Sequence, residues 1–308
     1  MTQTLLIDTD PGIDDALAIL MAAAHPDARI AAMTVTAGNV GLTHTLANAL
    51  KLCEVAGIKA PVFAGAALPL VTRPDDAAHV HGKDGFGDTA YSPANLVAEP
   101  EHAALAMLRL TRERPGELTF VMLGPLTNLA LALSLDPTLP ERVPRMVIMG
   151  GAVTAHGNMR IPVEFNIGFD PEAARIVFER WPHFELVDWE ATLRHALPHQ
   201  ACDQWFSAKH PLAQFYQSIS RNSRAWSAGC RGPTWPCADA LAMAQVLEPH
   251  AALERVTRAA TVELGGAFTR GMTVVDWRGE HDLRANADIL MRFDQARFEA
   301  MVQRAVGG

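Results

Sequence analysis

Apolar runs of strand length alternate with segments of helical periodicity along the first half of the chain. Residues 4–8 form a short apolar run that ends in polar side chains, the pattern of a buried strand. Over 14–24, Ala16, Leu17, Leu20 and Met21 recur at helical spacing and predict an amphipathic helix. The alternation continues with a strand over 29–36, a helix over 42–56, a short strand over 61–64 and a helix over 101–112. A strand over 118–123 is closed by Gly124 and Pro125, a helix follows over 126–135, and a strand over 143–149 is closed by Gly150 and Gly151. This pitch predicts right-handed βαβ units, hence an α/β fold with a mostly parallel, Rossmann-like open sheet covered by helices. The strands are apolar throughout, as strands covered on both faces are.

The second half opens the same way, with a helix over 172–180 and a strand over 184–187. Residues 198–220 read as helical with a break at Pro211, and 238–247 as another helix. Strands are predicted over 255–264, 273–276 and 286–291, followed by a closing helix over 293–306. The connections between those strands are too short for helices, so they are expected to form a small antiparallel extension towards the C-terminus. With no internal repeat and no low-complexity linker, a single domain over 1–308 is expected. Two stretches, 66–97 and 151–169, are long, polar and rich in Gly, Pro and His. Both follow strands, which places them at the carboxyl edge of the sheet, where open α/β folds bind ligands.

Composition removes several function classes. A hydrophobic fraction of 49% and a charged fraction of 19% fit a globular enzyme. The net charge of −8, from 26 basic and 34 acidic residues, lacks the basic footprint of a nucleic-acid binder. No apolar stretch reaches the ~20 residues needed to cross a bilayer. Cys53, Cys202, Cys230 and Cys237 have no metal-finger spacing, and residues 1–10 carry no basic region before an apolar run. Reduced thiols in a cytoplasmic protein are the expectation.

The sharpest local feature is Asp8-Thr9-Asp10-Pro11-Gly12-Ile13-Asp14-Asp15, at the end of the first strand. Pro11 suits a first helical turn, and a helix dipole favours nearby carboxylates by ~0.3–1 kcal/mol each. That is too little to offset so many crowded negative charges, so a cation is predicted. The donors are all oxygens, which points to calcium or magnesium rather than zinc. An EF-hand loop does not fit, because Gly12 comes one place early. Aspartyl-phosphate phosphatases also carry two Asp one residue apart after the first strand, as Asp8 and Asp10 are, but they leave Asp14 and Asp15 without a role.

This octapeptide resembles the N-terminal signature of the inosine-uridine nucleoside hydrolases. The resemblance recurs in order along nearly the whole chain, in Thr36-Ala37-Gly38-Asn39-Val40, Gly124-Pro125-Leu126-Thr127-Asn128, Met149-Gly150-Gly151, Glu164-Phe165-Asn166 with Asp170-Pro171-Glu172-Ala173-Ala174, and Pro236-Cys237-Ala238-Asp239. It implies a calcium ion held by Asp10, Asp15, the backbone carbonyl of Leu123 and Asp239. It also implies hydrolysis of the N-glycosidic bond of ribonucleosides by a calcium-bound water, with Asp10 as general base and an oxocarbenium-like transition state. Asp14, Asn39, Met149, Asn158, Glu164 and Asn166 are implied as ribose contacts. Residues 79–88, His79-Val80-His81-Gly82-Lys83-Asp84-Gly85-Phe86-Gly87-Asp88, resemble the family's mobile substrate loop, with His81 near the base or ribose. A homodimer or homotetramer is implied as well.

One position departs from the family. Many members carry a His directly before the last calcium ligand, where it helps protonate the leaving base; here Ala238 stands. Trp226, Trp235 and Cys237 are the nearby candidates for base contacts, and stacking on Trp would favour purines over pyrimidines. Two rival readings remain at this level: a magnesium-dependent phosphohydrolase with an Asp nucleophile, and a non-catalytic ribose or nucleoside binder that keeps the metal site.

Overall fold

The structure, a computed structural model, describes residues 2–160 and 162–307; Ile161, inside the second long loop, lies outside them. In chain order the elements are β1 (Gln3–Thr9), α1 (Ile13–Ala24), β2 (Ala28–Val35), α2 (Leu42–Ala56), β3 (Val62–Ala64), α3 (Ala78–His81), α4 (Ala103–Glu113), β4 (Leu118–Met122), α5 (Thr127–Leu135) and β5 (Arg145–Met149). They continue with α6 (Phe165–Phe169), α7 (Pro171–Arg180), β6 (Phe184–Val187), α8 (Trp189–Arg194), β7 (Leu197–Pro198), α9 (His199–Phe206), α10 (Pro211–Arg231), β8 (Thr234–Trp235) and α11 (Ala238–Leu247). The chain closes with β9 (Ala252–Arg258), β10 (Ala260–Val262), β11 (Thr273–Val275), β12 (Ala287–Phe293) and α12 (Gln295–Ala305).

Eight strands form one sheet in the order β3-β2-β1-β4-β5-β6-β12-β9. All neighbours are parallel except β9, which runs antiparallel to β12 at the edge. The period-2 alternation of the strands assigns each face to its own helices. Leu5, Ile7, Val121, Leu123, Val147 and Met149 join α1, α2, α11 and α12 in one core. Leu6, Phe120, Met122, Met146 and Ile148 join α4, α5 and α7 in the other. The strand order reverses between β1 and β4, which makes the carboxyl end of that pair the natural crevice of the sheet.

The predicted α/β class and mostly parallel sheet are present; the short elements α3, α6, α8, β7 and β8 were not expected, and the later part of the chain differs in three further ways. The strand expected over 255–264 is broken at Ala259 into β9 and β10, because Ala259 turns its carbonyl to Asp276 N while β10 leaves the sheet to pair with β11. Of the expected antiparallel extension, only β9 is antiparallel within the main sheet; β12 is parallel to β6, and β10–β11 is a separate ribbon. The helix expected to end at Ser220 runs on to Arg231, because it starts afresh at Pro211, capped by His210, and meets no proline and no glycine at positive φ before Gly232. Among the described residues no helix is long and apolar enough to cross a membrane.

Asn286 fastens the edge of this framework. Buried, it donates through Nδ2 to the carbonyls of Phe178 (2.6 Å) and Ala260 (3.0 Å) and accepts at Oδ1 from Ala260 N (2.8 Å). Asn286→Ala strands these backbone groups in a dry site and should lower stability by about 1–3 kcal/mol. A urea unfolding midpoint equal to that of wild type would contradict this.

Candidate active site

The octapeptide folds as a strand end turning directly into a helix. Asp8, the last inward residue before the turn, is fully buried and accepts at Oδ2 from Thr34 Oγ1 (2.7 Å) and Asn128 Nδ2 (2.9 Å). Burial pushes its pKa up to about 7 despite those two bonds. Asp8 is therefore a structural bracket between β1, β2 and α5 and is closed to any substrate.

Asp10 and Asp15 are both buried behind the residues that line the cavity described below. Asp15 accepts from Gly12 N (2.9 Å) and Asp10 N (3.3 Å), satisfying donors that the start of α1 leaves free. Asn39, just past β2, binds both acids: its N–H donates to Asp10 Oδ2 (2.7 Å), and its Nδ2 donates to Asp15 Oδ2 (3.0 Å). Asp10 Oδ1 is buried with no partner. A Cβ on Gly38 would stand 2.1 Å from Asp10 Oδ2, and one on Gly124 would stand 2.5 Å from Oδ1. Both positions thus need glycine for the carboxylate to fit.

Asp239 comes from the first turn of α11, far away in sequence but packed against α1. Carboxylate oxygens of Asp14, Asp15 and Asp239 lie within 4.8 Å of one another. Burial, and then repulsion from Asp15, drives Asp10 well above the usual carboxylate range; burial and the other three acids do the same to Asp239. Burial also raises Asp14 and Asp15. Such a group is stable when protonated or when it holds a cation, and its all-oxygen donor set suits a hard divalent ion.

A cavity of about 250 Å³ opens above these acids. Its lining includes Asp14, Asn39, His81, Leu123, Met149, Asn158, Glu164, Asn166, Trp226, Trp235 and Asp239. Asn166 Nδ2 donates to the Leu123 carbonyl (2.6 Å) and approaches Met149 Sδ (3.2 Å), which ties the ends of β4 and β5 together. A carbonyl oxygen has a second lone pair, so this bond leaves Leu123 able to meet a cation. Glu164 caps α6, accepting from Asn166 N (2.9 Å) and Gly151 N (2.8 Å); burial moves its pKa up to about 7. Asn158 Oδ1 accepts from Phe165 N (2.8 Å).

His81 ends α3, and its Nδ1 accepts from Ile13 N (3.1 Å). The proton of this imidazole is therefore on Nε2, and burial lowers its pKa to about 4. Trp235 packs against Phe206 and Tyr216, each with its ring centroid 6.4 Å away, and shows little surface. Trp226 is 38% exposed at the cavity mouth, with His79 edge-on to it. Cys237 is not in the lining. It stands at the N-cap position of α11 inside the core, without a capping bond, and burial pushes its thiol pKa well up, so the expectation that it reaches a base is set aside.

Several lining residues had no signal in the linear motifs. Trp189 and Arg231 meet at the cavity, the guanidinium 4.9 Å from the Trp189 ring and 5.7 Å from Trp226. Asp188 and Glu190 flank Trp189 and hold the loop after β5: Val153 N donates to Asp188 (3.0 Å), and Thr154 N and His156 N each donate to Glu190 (3.0 Å). An acidic pair at the end of β6 was the available clue.

A sequence model described as inosine-uridine preferring nucleoside hydrolase matches residues 5–300. An inosine-uridine preferring nucleoside hydrolase of Leishmania major is 33% identical, over 98% of this chain and 96% of its own. A pyrimidine-specific ribonucleoside hydrolase of Escherichia coli is 30% identical over 99% and 97%. The solved structure of an inosine-guanosine nucleoside hydrolase superposes with a TM-score of 0.93 at 32% identity, covering 99% of this chain and 98% of that one. The fold, the ordered motifs and these likenesses agree throughout: the chain belongs to the inosine-uridine preferring nucleoside hydrolase family and is a nucleoside-hydrolysing enzyme.

Proposed function

We propose that the whole chain acts as one catalytic unit that hydrolyses the N-glycosidic bond of ribonucleosides to free base and ribose, with calcium as its metal. The observation that carries this reading is Asp10 Oδ1, buried without a partner beside Asp14, Asp15 and Asp239 at the base of a substrate-sized cavity. An orphaned carboxylate oxygen among mutually repelling acids fits a cation better than any protein donor nearby. Asp10, Asp15, Asp239 and the Leu123 carbonyl would hold it. When bound, calcium supplies a polarised, fixed water and an anchor for the ribose diol.

The chain's own groups do the rest. Asn39 N–H fixes Asp10 Oδ2 and leaves Oδ1 to take the proton of the attacking water. Asp14, Asn39, Asn158, Glu164 and Asn166 present polar atoms to the sugar, and Met149 gives it an apolar surface. The acids also stabilise the positive charge that develops on the ring in an oxocarbenium-like transition state. Trp226, Trp235 and His81 line the cavity, a setting that favours a stacked purine. Resemblance alone supports a homodimer or homotetramer. A phosphohydrolase acting through Asp8 is disfavoured, because that side chain is sealed beneath Thr34 and Asn128.

Asp10→Asn should fold normally and lose ~10²–10⁴-fold in turnover of inosine, as expected for removal of a general base. Turnover within a few-fold of wild type at saturating calcium would rule the role out. Calorimetry on chelator-treated protein should show one calcium ion bound per chain, with binding abolished or severely weakened in Asp239→Asn. Undiminished calcium binding in that variant would place the metal elsewhere.

Glu164 gives a pH test. Its folded pKa of about 7 lies above the ordinary value of 4.5. The stability it contributes is therefore complete below the ordinary value and is lost as pH rises through the folded one. Glu164→Gln does not titrate. Relative to wild type, it should gain about 1–3 kcal/mol in going from acid to mildly alkaline buffer, followed by thermal melts without added metal. A pH-independent difference would show that Glu164 is not held protonated by burial.

A further inference from the structure

With Ala238 in place of a proton donor, the cavity needs another way to accept the departing base. His81 does not supply one readily: its Nδ1 is engaged with Ile13 N, and burial keeps the ring neutral. Cys237 is outside the cavity. The cavity face of α10 offers a different device. Ser223, Ser227 and Arg231 recur every four residues, so they form one stripe along the helix, and all three line the cavity. Ser227 Oγ is buried with no hydrogen-bond partner. Arg231, an exposed residue, is the one Lys or Arg in the lining among the described residues. Its guanidinium is held over the faces of Trp189 and Trp226. Those contacts orient the fork and leave its N–H donors free.

The position suits the far end of a nucleoside. Trp189 follows β6, three strands along the sheet from β1, or roughly 14 Å at the usual strand spacing. Asp14 and Asp15, at the end of β1, and Trp189 with its cation, past β6, thus come from different strand ends of the sheet.

We propose that Arg231, assisted by Ser227, binds the oxo edge of the base and receives the charge that leaves with it. This rests on the hydrolytic reading above. The C1′–N bond breaks with its electron pair going to the base, C1′–O forms from water, and the water proton passes to Asp10. The base departs as an anion whose charge spreads to its exocyclic oxygen, where Arg231 meets it, and takes up a proton from solvent after release. Arginine only donates, and it pairs two-pronged with the O6/N7 edge of an oxopurine. Adenine offers an amino group at the same place, which the guanidinium cannot accept from. Arg231 is therefore the residue that separates 6-oxo from 6-amino purine nucleosides.

The test compares wild type, Arg231→Met and Arg231→Lys on inosine and adenosine. Arg231→Met should lose about 10–100-fold in kcat/KM on inosine and no more than about 3-fold on adenosine. Arg231→Lys, which keeps the charge without the fork, should fall between. Equal losses on the two substrates, or an unchanged inosine-to-adenosine ratio, would overturn the proposal and leave Arg231 as a prop for the indoles. Calorimetry with the free bases separates this failure from that of the hydrolytic reading. Wild type should bind hypoxanthine more tightly than adenine, and Arg231→Met should erase the difference. A wild type without that preference sinks the Arg231 assignment. A wild type with it but without turnover sinks the hydrolytic reading instead.

Discussion

Asp10, Asp14, Asp15 and Asp239 converge where β1 ends and α11 begins, and their mutual repulsion in a site poor in water is the constraint to which the neighbouring structure answers. Desolvation and like charge both act against ionisation, and every one of these acids is displaced upward. The chain offsets part of this with backbone and side-chain donors from Gly12 and Asn39, and with space left by Gly38 and Gly124. It does not offset all of it, and the remaining deficit is what makes the place a site. A fold selected only for stability would have filled this point with apolar side chains, as it does one turn deeper along α1.

The scaffold concentrates that deficit at the reversal of strand order. Parallel strands on either side of β1 and β4 carry their helices away in opposite directions, which leaves an opening at the carboxyl edge. The segments that cover the opening lack regular structure over much of their length and are held by carboxylates accepting backbone N–H groups. Glu164 secures Gly151, Asp188 secures Val153, Glu190 secures Thr154 and His156, and Asp170 secures Leu70. These bonds position Asn158 and the cavity rim without requiring long helices, so substrate-facing loops can be ordered while remaining polar.

The part of the cavity lined by Trp189 and Trp226 is built on another principle. Trp189, Trp226 and Arg231 come from α8 and α10, form a stacked cationic face, and owe nothing to the acidic cluster. The acidic cluster and the cationic face therefore rest on separate elements. Relatives named for inosine-uridine, pyrimidine and inosine-guanosine nucleosides match this chain at comparable identity, 33%, 30% and 32%.

Apart from the four-residue α3, hidden in the polar stretch 66–97, the order of strands and helices through β5, the two-sided burial of the sheet and the acidic turn after β1 were all legible in the chain. Each is a local property: periodicity fixes which face is apolar, and crowded carboxylates within one turn signal a cation wherever they fold. The later elements were less legible. The break at Ala259 and the parallel placement of β12 depend on which strand finds which neighbour, and the continuation of α10 to Arg231 crosses a polar stretch that shows little apolar periodicity. Motif resemblance could place Asp239 with Asp14 and Asp15, but only the packing of α11 on α1 brings their oxygens together. Likewise, Cys237 and Trp235 are near neighbours in sequence, yet one turns into the core and the other reaches the cavity. Arg231 and Trp189 carry no mutual signal at all, since their meeting depends on the relative rotation of α8 and α10. Sequence specified the elements, their faces and the chemistry of the strand end; tertiary packing alone decided which distant side chains share a cavity, because contacts between elements are set by shape and burial summed over the whole core rather than by any local pattern.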